Sequence, residues 1–517
     1  MGASVSTLHN EMSAEERSAL LTELLSKCRA ILEDNPGNRC CKHVVTYLSS
    51  EEGKALSNTD VQVFYKCIKS GLENPTSSLG CYAMTPGDYT TFSGFFDELV
   101  RDYHGDTTRT QTHVTDDDWT IDGTANYDVT KLKNVDPLRV RVSVRRNLKG
   151  FNLPGKMTKR ERIEFELKIL PAFQRLNETC GGGTVHSLTP RFAEPKDDDD
   201  DAAAATDNPN LISPETHRQL VRDGIMFRDA FADPYLESAG IGSDWPYGRG
   251  CWRSDDGSRI VMFGGEDLLQ VICVSDGTAE HMSRAFRDVK EILRALEDVD
   301  GIEFARDERY GYVTSCPSHL GTGMKASVYL KVPNLTRGGT DERLKEVCTP
   351  LGFSVRGIGG EGIPIEEDGA VNVSSSATLF VTESDIITKL CEGTEKILVL
   401  ENDAATMEGL ERRQPTQEDT VMTEDTTATA TATEDVATSP PTAIAKNDTT
   451  PMDNDEASAN ETEPPKSSSG TLPPAEKEST VVADGDSNTI EKPIETKTEV
   501  GPTTTAVAPP AATTSGE

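Results

Sequence analysis

Beyond Arg139, several short segments alternate apolar and polar residues, and this pattern decides the fold class of that part of the chain. The clearest segments are RVRVSV, RIVMF, LLQVICVS, GYVTS and ASVYLKV. Successive side chains of a strand point to opposite faces, so a period of two indicates a sheet with one covered face. Helical stretches such as MSRAFRDVKEILRALEDV lie between the strands. Residues 126–403 are therefore predicted to form an α+β domain with an antiparallel or mixed sheet flanked by helices.

The preceding part of the chain has the periodicity of helices. Ser13 and Glu16 form a capping box ahead of RSALLTELLSKCRAIL, whose leucines recur at helical spacing, and VQVFYKCIKSGL is also compatible with a helix. The polar stretch THVTDDDWTIDGTAN indicates a linker. Residues 13–125 are predicted to form a small all-α domain.

Two acidic segments are predicted to lie outside the folded domains. From Gln414 to the end there are 20 Asp and Glu against 5 Lys, in a sequence made mostly of Thr, Ala, Pro, Ser and Glu. So few large apolar residues cannot offset the entropy of ordering, and residues 404–517 are predicted to be a disordered tail. The insert EPKDDDDDAAAATDNPN, at about 191–212, favours a solvated loop over a cation site.

Net charge and cysteine usage exclude several classes of protein. The net charge of −35 disfavours a nucleic-acid partner or an anionic membrane held by bulk charge. Eleven cysteines without a CxxC pair are typical of reduced thiols in a cytoplasmic protein, and predict neither a disulfide framework nor a zinc site. Apolar runs of about 18 residues are missing, so no membrane span is predicted.

The N-terminal segment, residues 1–12, matches a lipidation pattern. MGASVS places Gly2 after the initiator Met and Ser6 four residues later, which predicts N-myristoylation of Gly2, with a chance match in a polar start as the alternative. One myristoyl chain binds membranes only marginally, and Glu11, Glu15 and Glu16 supply no basic second signal. The prediction is reversible peripheral attachment of an otherwise cytoplasmic protein.

The stretch TSCPSHLGTGMKASVYLKVP, residues 314–333, resembles a phosphate-binding loop at first sight. A Walker motif requires G-x-x-x-x-G-K-[ST] followed by a helix, whereas Lys325 is followed by strand-like alternation. A nucleotide bound without a helix N-terminus would need arginines, for which RVRVSVRR at 139–146 and VRGIGGEG at 355–362 are candidates; exposed charges on a strand edge are the alternative. Cys316 is either a buried structural residue or a reactive thiol.

Four stretches together resemble the ATP:guanidino phosphotransferases, or phosphagen kinases, and the arginine kinases most closely. They are CPSHLGTGMKASVYLKVP, DWPYGRG, LKGFNLP and GLENPTSSLGCYAMTPGDYTTFSGFFDELVRDYHG. The resemblance covers roughly residues 30–400. It implies a small helical domain and a larger domain with an antiparallel sheet and helices, of the glutamine-synthetase-like type, closing over MgATP and a guanidine.

The resemblance also implies residues that hold the guanidine. Two carboxylates and a thiolate would fix the planar cation: Glu266, Cys316 and Glu361. The short loop SSLGCY is similar to the arginine-kinase substrate loop, with the implied contacts Ser77, Leu79, Gly80 and Tyr82. Its length favours arginine or a similarly large guanidine over creatine.

The implied nucleotide site departs from the family pattern. Its positions are Arg139, Arg141, Ser143, Gln270, Lys325, Ala326, Ser327, Val328, Tyr329, Arg356, Gly357, Ile358, Gly359 and Gly360. Of five arginines usual for the phosphates, Arg356 matches one, Lys325 stands in for another and Gln270 replaces a third. The remaining two fall on Arg141 and Ser143, or, with a two-residue shift, on Arg139 and Arg141.

Three further departures concern neighbouring positions. Gly224 and Tyr329 stand where the family usually has histidines against the adenine, and Gly265 replaces an acidic residue before Glu266. The leading hypothesis is a guanidino kinase using ATP or ADP with Mg²⁺ bound through the nucleotide. The alternative is a pseudokinase acting as a binding or scaffold protein. A protein-arginine kinase like the bacterial relatives is less favoured, because those lack the helical domain.

Overall fold

The structure is a computed structural model, and the part of the chain that it describes is given by the following ranges. They are residues 12–77, 79–106, 111–114, 119, 138–192, 206–228, 233–277, 279–357 and 365–411. The predicted linker lies mostly outside them. Gly2 and the predicted tail beyond residue 411 lie entirely outside them.

In the described part of the N-terminal domain there are six helices. They are α1 (Ala14–Asp34), α2 (Arg39–Ser49), α3 (Glu51–Lys54), α4 (Asn58–Glu73), α5 (Asp88–Thr91) and α6 (Ser93–His104). The capping box at the start of α1 is confirmed, since Ser13 Oγ accepts from the Glu16 amide and the Glu16 carboxylate accepts from the Ser13 amide. Aromatic rings centred on Phe64 fill the core between α2, α4 and α6.

The described residues of the larger domain contain ten strands. They are β1 (Leu138–Arg146), β2 (Gly183–Ser187), β3 (Gly250–Ser254), β4 (Arg259–Phe263), β5 (Leu269–Gly277), β6 (Arg306–Asp307), β7 (Gly311–Tyr312), β8 (Met324–Lys331), β9 (Phe353–Gly357) and β10 (Ala370–Ser375). Eight of them form one sheet in the order β2-β3-β4-β5-β1-β8-β10-β9, with every neighbouring pair antiparallel. The two short strands β6 and β7 pair with each other.

Six further helices lie in the ranges of the larger domain that the structure describes. They are α7 (Lys159–Thr179), α8 (Pro214–Arg222), α9 (Pro234–Ser238), α10 (Ala279–Glu297), α11 (Glu342–Cys348) and α12 (Glu383–Glu411). α12 continues past the predicted domain end at residue 403. Within the described residues, no helix has both the length and the apolar composition that a membrane span requires.

The sheet buries one face against helices, as the alternation predicts. Val140, Val142 and Val144 of β1 are fully buried in a cluster that includes side chains of α7, α10, α11 and α12. Burial of each such side chain contributes about 1.5–3 kcal/mol. The α+β class with a small helical domain and a helix-covered antiparallel sheet is therefore confirmed. The described parts of the acidic insert are residues 191–192 and 206–212. The bridge Arg191–Asp207 joins these two parts, and the bridge Ser187–Leu211 joins the second part to the end of β2.

The helical domain packs on the larger domain through polar contacts around α6. Both guanidinium–carboxylate bonds from Arg309 Nη1 to Asp97 are short, at 2.8 and 3.0 Å, and Tyr310 Oη donates to the same carboxylate at 2.5 Å. The Tyr89 hydroxyl donates to the Thr314 carbonyl at 2.9 Å. These bonds fix the helical domain beside the segment that leads to Cys316.

Candidate active site

The sheet face opposite the helices is polar on its central strands. Alternate positions of β1 bring Arg139, Arg141, Ser143 and Arg145 to this face, because their neighbours in sequence point into the core. Arg139 lies opposite Tyr329 of β8, which lies opposite Asn372 of β10 and then Arg356 of β9. Arg141 lies opposite Ser327, and Ser143 opposite Lys325. Predicted nucleotide-binding residues from the three strands β1, β8 and β9 thus share one face.

The two possible alignments of β1 lead to the same face. A shift by two residues exchanges Arg141 and Ser143 for Arg139 and Arg141 without moving a side chain across the sheet. Arg139 is exposed, whereas Arg141 and Ser143 are half-buried. Ser143 Oγ donates to the Lys325 carbonyl at 3.3 Å.

The other predicted nucleotide-binding residues do not all lie on the polar face. Gln270 lies on the polar face opposite Arg145. Ala326 and Val328 are fully buried on the helix-covered face, so a nucleotide on the polar face would not contact their side chains. Gly357 ends β9. Ile358, Gly359, Gly360 and Glu361 lie outside the described residues.

The structure gives a local reason for the two glycines that depart from the family pattern, Gly265 and Gly224. A Cβ atom at Gly265 would lie 2.5 Å from the Phe227 ring, so a larger residue there would collide with the aromatic side chain. Gly224 follows α8 with φ +68°, a left-handed conformation that favours glycine over histidine. At position 265 the close Phe227 ring favours glycine over the acidic residue usual in the family. At position 224 the left-handed backbone favours glycine over the usual histidine.

Glu266 and Cys316 lie side by side at one end of the polar face. Their ligand atoms, together with a ring nitrogen of His319, all lie within 4.8 Å of one another. Glu266 sits in the turn between β4 and β5, and Cys316 in the segment between β7 and β8. The Glu266 side chain is 18% exposed and Cys316 is 9% exposed. The structure thus brings together two of the three residues predicted to hold a guanidinium.

Asp267 connects the two segments that carry these side chains. Its Oδ1 accepts from the Ser315 amide and from Asn147 Nδ2, each at 2.7 Å. Asn147 also donates to the Val313 carbonyl at 3.0 Å and accepts from the Leu268 amide at 2.8 Å. Asp267 is 3% exposed, so these bonds replace hydration that the carboxylate has lost.

A chain of polar contacts links Cys316 to His319. Ser318 Oγ lies 3.0 Å from Cys316 Sγ and 2.7 Å from His319 Nδ1. Burial, followed by the positive charges of Arg145 and Lys325, holds the pKa of His319 well below its usual range. The imidazole is therefore neutral at neutral pH.

Arg145 supplies a guanidinium of the protein itself to this site. Its Nη1 donates to Glu266 Oε2 and lies 3.5 Å from Asp267 Oδ2. The Arg145 side chain is 17% exposed. Glu266 therefore holds a planar cation of the kind that the predicted substrate would present.

The predicted substrate loop of the helical domain lies against α4. The amides of Gly71 and Tyr82 donate to the carbonyls of Gly80 and Cys67 at 2.6 and 2.9 Å. Gly80 has φ +66°, and a Cβ there would lie 2.6 Å from Gly71 Cα. Leu79 is buried, and the Ser77 amide closes the preceding turn onto the Asn74 carbonyl at 3.0 Å. These contacts fix the loop on the end of α4.

Tyr82, at the end of this loop, lies close enough to Glu266 and Cys316 for their charges to act on its hydroxyl. Burial, and then the nearby Glu266 and Cys316 groups, raise the pKa of Tyr82 well above its usual range. The Ala83 amide donates to the Ser315 carbonyl at 2.8 Å. The helical domain therefore supplies one side of the site.

Three residues of this site were not among the individually predicted site residues, although Arg145 lies in RVRVSVRR, the stretch predicted as a source of phosphate-binding arginines. Arg145 continues the alternation from Arg139, so the period of two could have placed it on the polar face. His319 follows Cys316 by three residues, and this short spacing was the available signal for it. No pattern in the sequence predicted the role of Asp267, since its buried hydrogen-bond partners come from segments that are distant along the chain.

Comparison with known proteins identifies the family to which this chain belongs. Residues 191–404 match the ATP:guanido phosphotransferase C-terminal catalytic domain, and residues 41–101 match the ATP:guanido phosphotransferase N-terminal domain. The two matches together cover just over half of the chain. The chain belongs to the ATP:guanido phosphotransferase family.

Arginine kinases of other organisms are similar to this chain over 65–70% of its length. An arginine kinase of Anthopleura japonica is 30% identical over 373 residues, covering 70% of this chain and 46% of the relative. An arginine kinase of Schistocerca americana is 28% identical over 342 residues, covering 65% of this chain and 85% of the relative.

A solved structure is similar to the fold of this chain. The duplicated taurocyamine kinase from Schistosoma mansoni, with bound transition state analog components, has 26% sequence identity and a TM-score of 0.61. That likeness covers 77% of this chain and 50% of the other. The chain thus spans about half the length of the Anthopleura relative and of the Schistosoma protein.

Proposed function

We propose that this protein is a phosphagen kinase, which reversibly transfers the γ-phosphoryl group of MgATP to a guanidino nitrogen of arginine or a similar guanidine for energy buffering. The proximity of Glu266 and Cys316 at the end of a cationic sheet face carries this proposal. A carboxylate and a thiolate can grip and orient a guanidinium, while neighbouring cations receive the phosphates.

The guanidine site would combine both domains. Glu266 and Cys316 would hold the guanidinium, and Glu361, which lies outside the described residues, is proposed as the second carboxylate. Tyr82 and its loop would enclose the rest of the molecule from the helical domain. The length of this loop supports arginine, or a guanidine of similar size, as the substrate.

The polar face suits a polyphosphate. Cationic side chains on this face come from β1 (Arg139, Arg141), β8 (Lys325) and β9 (Arg356), and β10 separates β8 from β9. Ser327 on β8 adds a hydroxyl. Such side chains can replace the helix N-terminus that binds phosphates in other nucleotide sites. Mg²⁺, held through the nucleotide, would neutralise charge that develops on the phosphoryl oxygens.

Arg145 gives the proposed reaction an internal competitor. A guanidine that binds Glu266 must take the place of the Arg145 guanidinium, and Asp267 at 3.5 Å offers Arg145 a second carboxylate. Replacing one charge-assisted bond by another costs little, so the exchange is compatible with turnover.

An ADP-release assay over a panel of guanidines tests the proposal. The panel contains arginine, taurocyamine, lombricine, creatine and glycocyamine, each with saturating MgATP. Arginine, or a guanidine of similar size, is expected to turn over far faster than in the Glu266→Gln control. Turnover of no guanidine above that control would contradict the proposed function.

The second candidate is a catalytically weak or inactive pseudokinase that serves as a binding or scaffold protein. Three residues favour it. Gln270 and Lys325 stand where the family has arginines, and Ser143 does so in one of the two alignments of β1. Each replacement loses the two-pronged hydrogen bonding of a guanidinium to phosphate. Losing a hydrogen bond to a charged group costs about 1.5–3 kcal/mol, roughly ten- to a hundredfold in affinity. Calorimetric titration of MgADP, with and without arginine, separates the candidates, since tight binding would contradict the pseudokinase.

We also propose that Gly2 is myristoylated and attaches this cytoplasmic protein reversibly to membranes. Flotation with neutral phosphatidylcholine vesicles, of protein coexpressed with an N-myristoyltransferase, tests this. A lipid-bound fraction is expected that disappears in Gly2→Ala. Equal flotation of the two proteins would show that Gly2 plays no part.

A further inference from the structure

The side chains of Glu266, Cys316 and His319 offer three different ligand types within a small volume. One carboxylate oxygen, the thiol sulfur and one ring nitrogen lie within 4.8 Å of one another. Glu266 is fifty residues from Cys316 in the chain, and no paired-cysteine motif surrounds either residue. For this reason the sequence predicted no zinc site, and the tertiary structure brings the three groups together.

We propose that Glu266, Cys316 and His319 form a binding site for a borderline-soft divalent cation, best suited to Zn²⁺. Oxygen, sulfur and nitrogen ligands of these types bind zinc in proteins, and three protein ligands with an open fourth position are typical of non-structural zinc sites. Mg²⁺ prefers oxygen ligands throughout, so this site is distinct from the cation that accompanies the nucleotide.

Ser318 restrains two of the three ligands. Its Oγ lies 3.0 Å from Cys316 Sγ and 2.7 Å from His319 Nδ1, so the hydroxyl limits rotation of the thiol and of the ring. The backbone adds to this restraint, because residues 317–319 form a turn of 3₁₀ helix directly after Cys316. Ligands that are already oriented lose less conformational entropy on metal binding.

The charges around the cluster permit a divalent cation. A thiolate and a carboxylate balance its two positive charges, and binding releases the thiol proton to solvent. Arg145 and Lys325 oppose the cation by their charge. Arg145 can keep an ion-pair partner when Glu266 turns to the metal, because Asp267 Oδ2 lies 3.5 Å from Nη1.

Metal and guanidine would compete, since both need Glu266 and Cys316. This competition rests on the proposed function, whereas metal binding itself does not. Zn²⁺ would therefore act as a reversible inhibitor of guanidine binding. Removal of Arg145 should strengthen binding of both ligands.

Titration of the reduced full-length protein with Co²⁺ tests the site directly, without MgATP or turnover. A thiolate-to-cobalt charge-transfer absorption is expected that Zn²⁺ displaces. Cys316→Ser should abolish the absorption, and His319→Asn should weaken Co²⁺ binding about tenfold or more. The matched control is His186→Asn, since the half-buried His186 ring on β2 lies outside the cluster, and it should leave the titration unchanged.

Three results would overturn the metal site: no charge-transfer absorption, an absorption that persists in Cys316→Ser, or unchanged affinity in His319→Asn. Should Cys316→Ser fail to fold, the His319→Asn titration decides. Repeating the Co²⁺ titration with saturating arginine distinguishes the two proposals. If the charge-transfer absorption forms and arginine does not reduce it, the metal site is supported and the guanidine site is contradicted. If the protein is an active kinase but shows no charge-transfer absorption, only the metal site is contradicted.

Discussion

Arg145 and Glu266 form an ion pair at the position where a substrate guanidinium is proposed to bind. Each side chain is less than one-fifth exposed, so the pair is screened less than a surface salt bridge. Any guanidine ligand therefore binds by exchange, and its apparent affinity depends on how strongly Arg145 is held. The closeness of Asp267 to Arg145 limits the cost of this exchange.

Substitution Arg145→Gln should raise the affinity for arginine about tenfold, at the low end of the energy of a charge-assisted hydrogen bond. The reason is the loss of the internal guanidinium from Glu266. The KM for arginine at saturating MgATP measures the effect, with calorimetry as a check. Arg160→Gln, which breaks an exposed pair with Glu164, is the matched control and should change nothing. A lower kcat with unchanged KM would show instead that Arg145 orients Glu266.

Substitution Lys325→Arg should strengthen MgADP binding by up to about tenfold. Arginine can donate two parallel bonds to a phosphate, whereas lysine offers a single compact charge. Calorimetric titration of MgADP measures the change. Lys331→Arg on the same strand, where Lys331 pairs with Asp368, is the control. Equal gains in both variants would mean that Lys325 has no special place in the phosphate site.

At the scale of elements, the site depends on the junction between the β4–β5 turn and the segment before Cys316. Asp267 and Asn147 join these two segments by bonds of 2.7–3.0 Å within the core. The junction positions Glu266 relative to Cys316 although neither residue belongs to a strand.

Asp267→Ala should lower the free energy of unfolding by about 2–4 kcal/mol, because it leaves the Ser315 amide and one of the two N–H groups of Asn147 Nδ2 buried without an acceptor; the other N–H group keeps the Val313 carbonyl. Asp267→Asn keeps an acceptor oxygen and should recover most of this loss. Urea unfolding followed by circular dichroism measures both variants. If Asn destabilised the protein as much as Ala, the negative charge rather than the hydrogen bonds would be the stabilising feature.

The strands illustrate what can be predicted at this scale. Alternation predicted β1, β4, β5 and β8, because a covered face requires apolar residues at every second position. The same alternation brought Arg139, Arg141 and Ser143 to one face irrespective of the alignment. It could not give the order of the strands, which depends on contacts between segments far apart in sequence.

For the molecule as a whole, His104 is a contact between the two domains. It ends α6, and its Nε2 lies 2.9 Å from the carbonyl oxygen of Pro317, next to Cys316. Burial lowers the pKa of His104 to about 4. Burial and the charge of Arg146 likewise lower the pKa of the nearby His113 to about 4. Protonation of these rings therefore opposes the packed arrangement.

Stability should fall as the pH decreases from about 6.5 to 4, since the unfolded chain binds protons there that folded His104 does not. The stabilising contribution is complete above pH 6.5 and is lost as the pH falls through the folded pKa. His104→Gln should reduce the slope by up to about 1.4 kcal/mol per pH unit. Urea unfolding across this pH range measures the slope. An unchanged slope would assign the pH dependence to other groups, such as His113.

The sequence by itself determined the fold class, the helical first domain and the residue types of the site. Periodicity reports which face of an element is buried, and Cys316 and Glu266 stood in stretches that resemble a known family. The matched family domains agree with that resemblance. The periodicity of an element and the residues of a motif are local properties, so they can be predicted from the order of residues along the chain.

Only the tertiary structure decided which distant groups meet. It joined Arg145 to Glu266, placed His319 beside Cys316 and buried Asp267 between two segments. Electrostatic and metal-binding properties depend on distances between atoms, and for residues far apart in the chain the packing of the whole domain sets these distances.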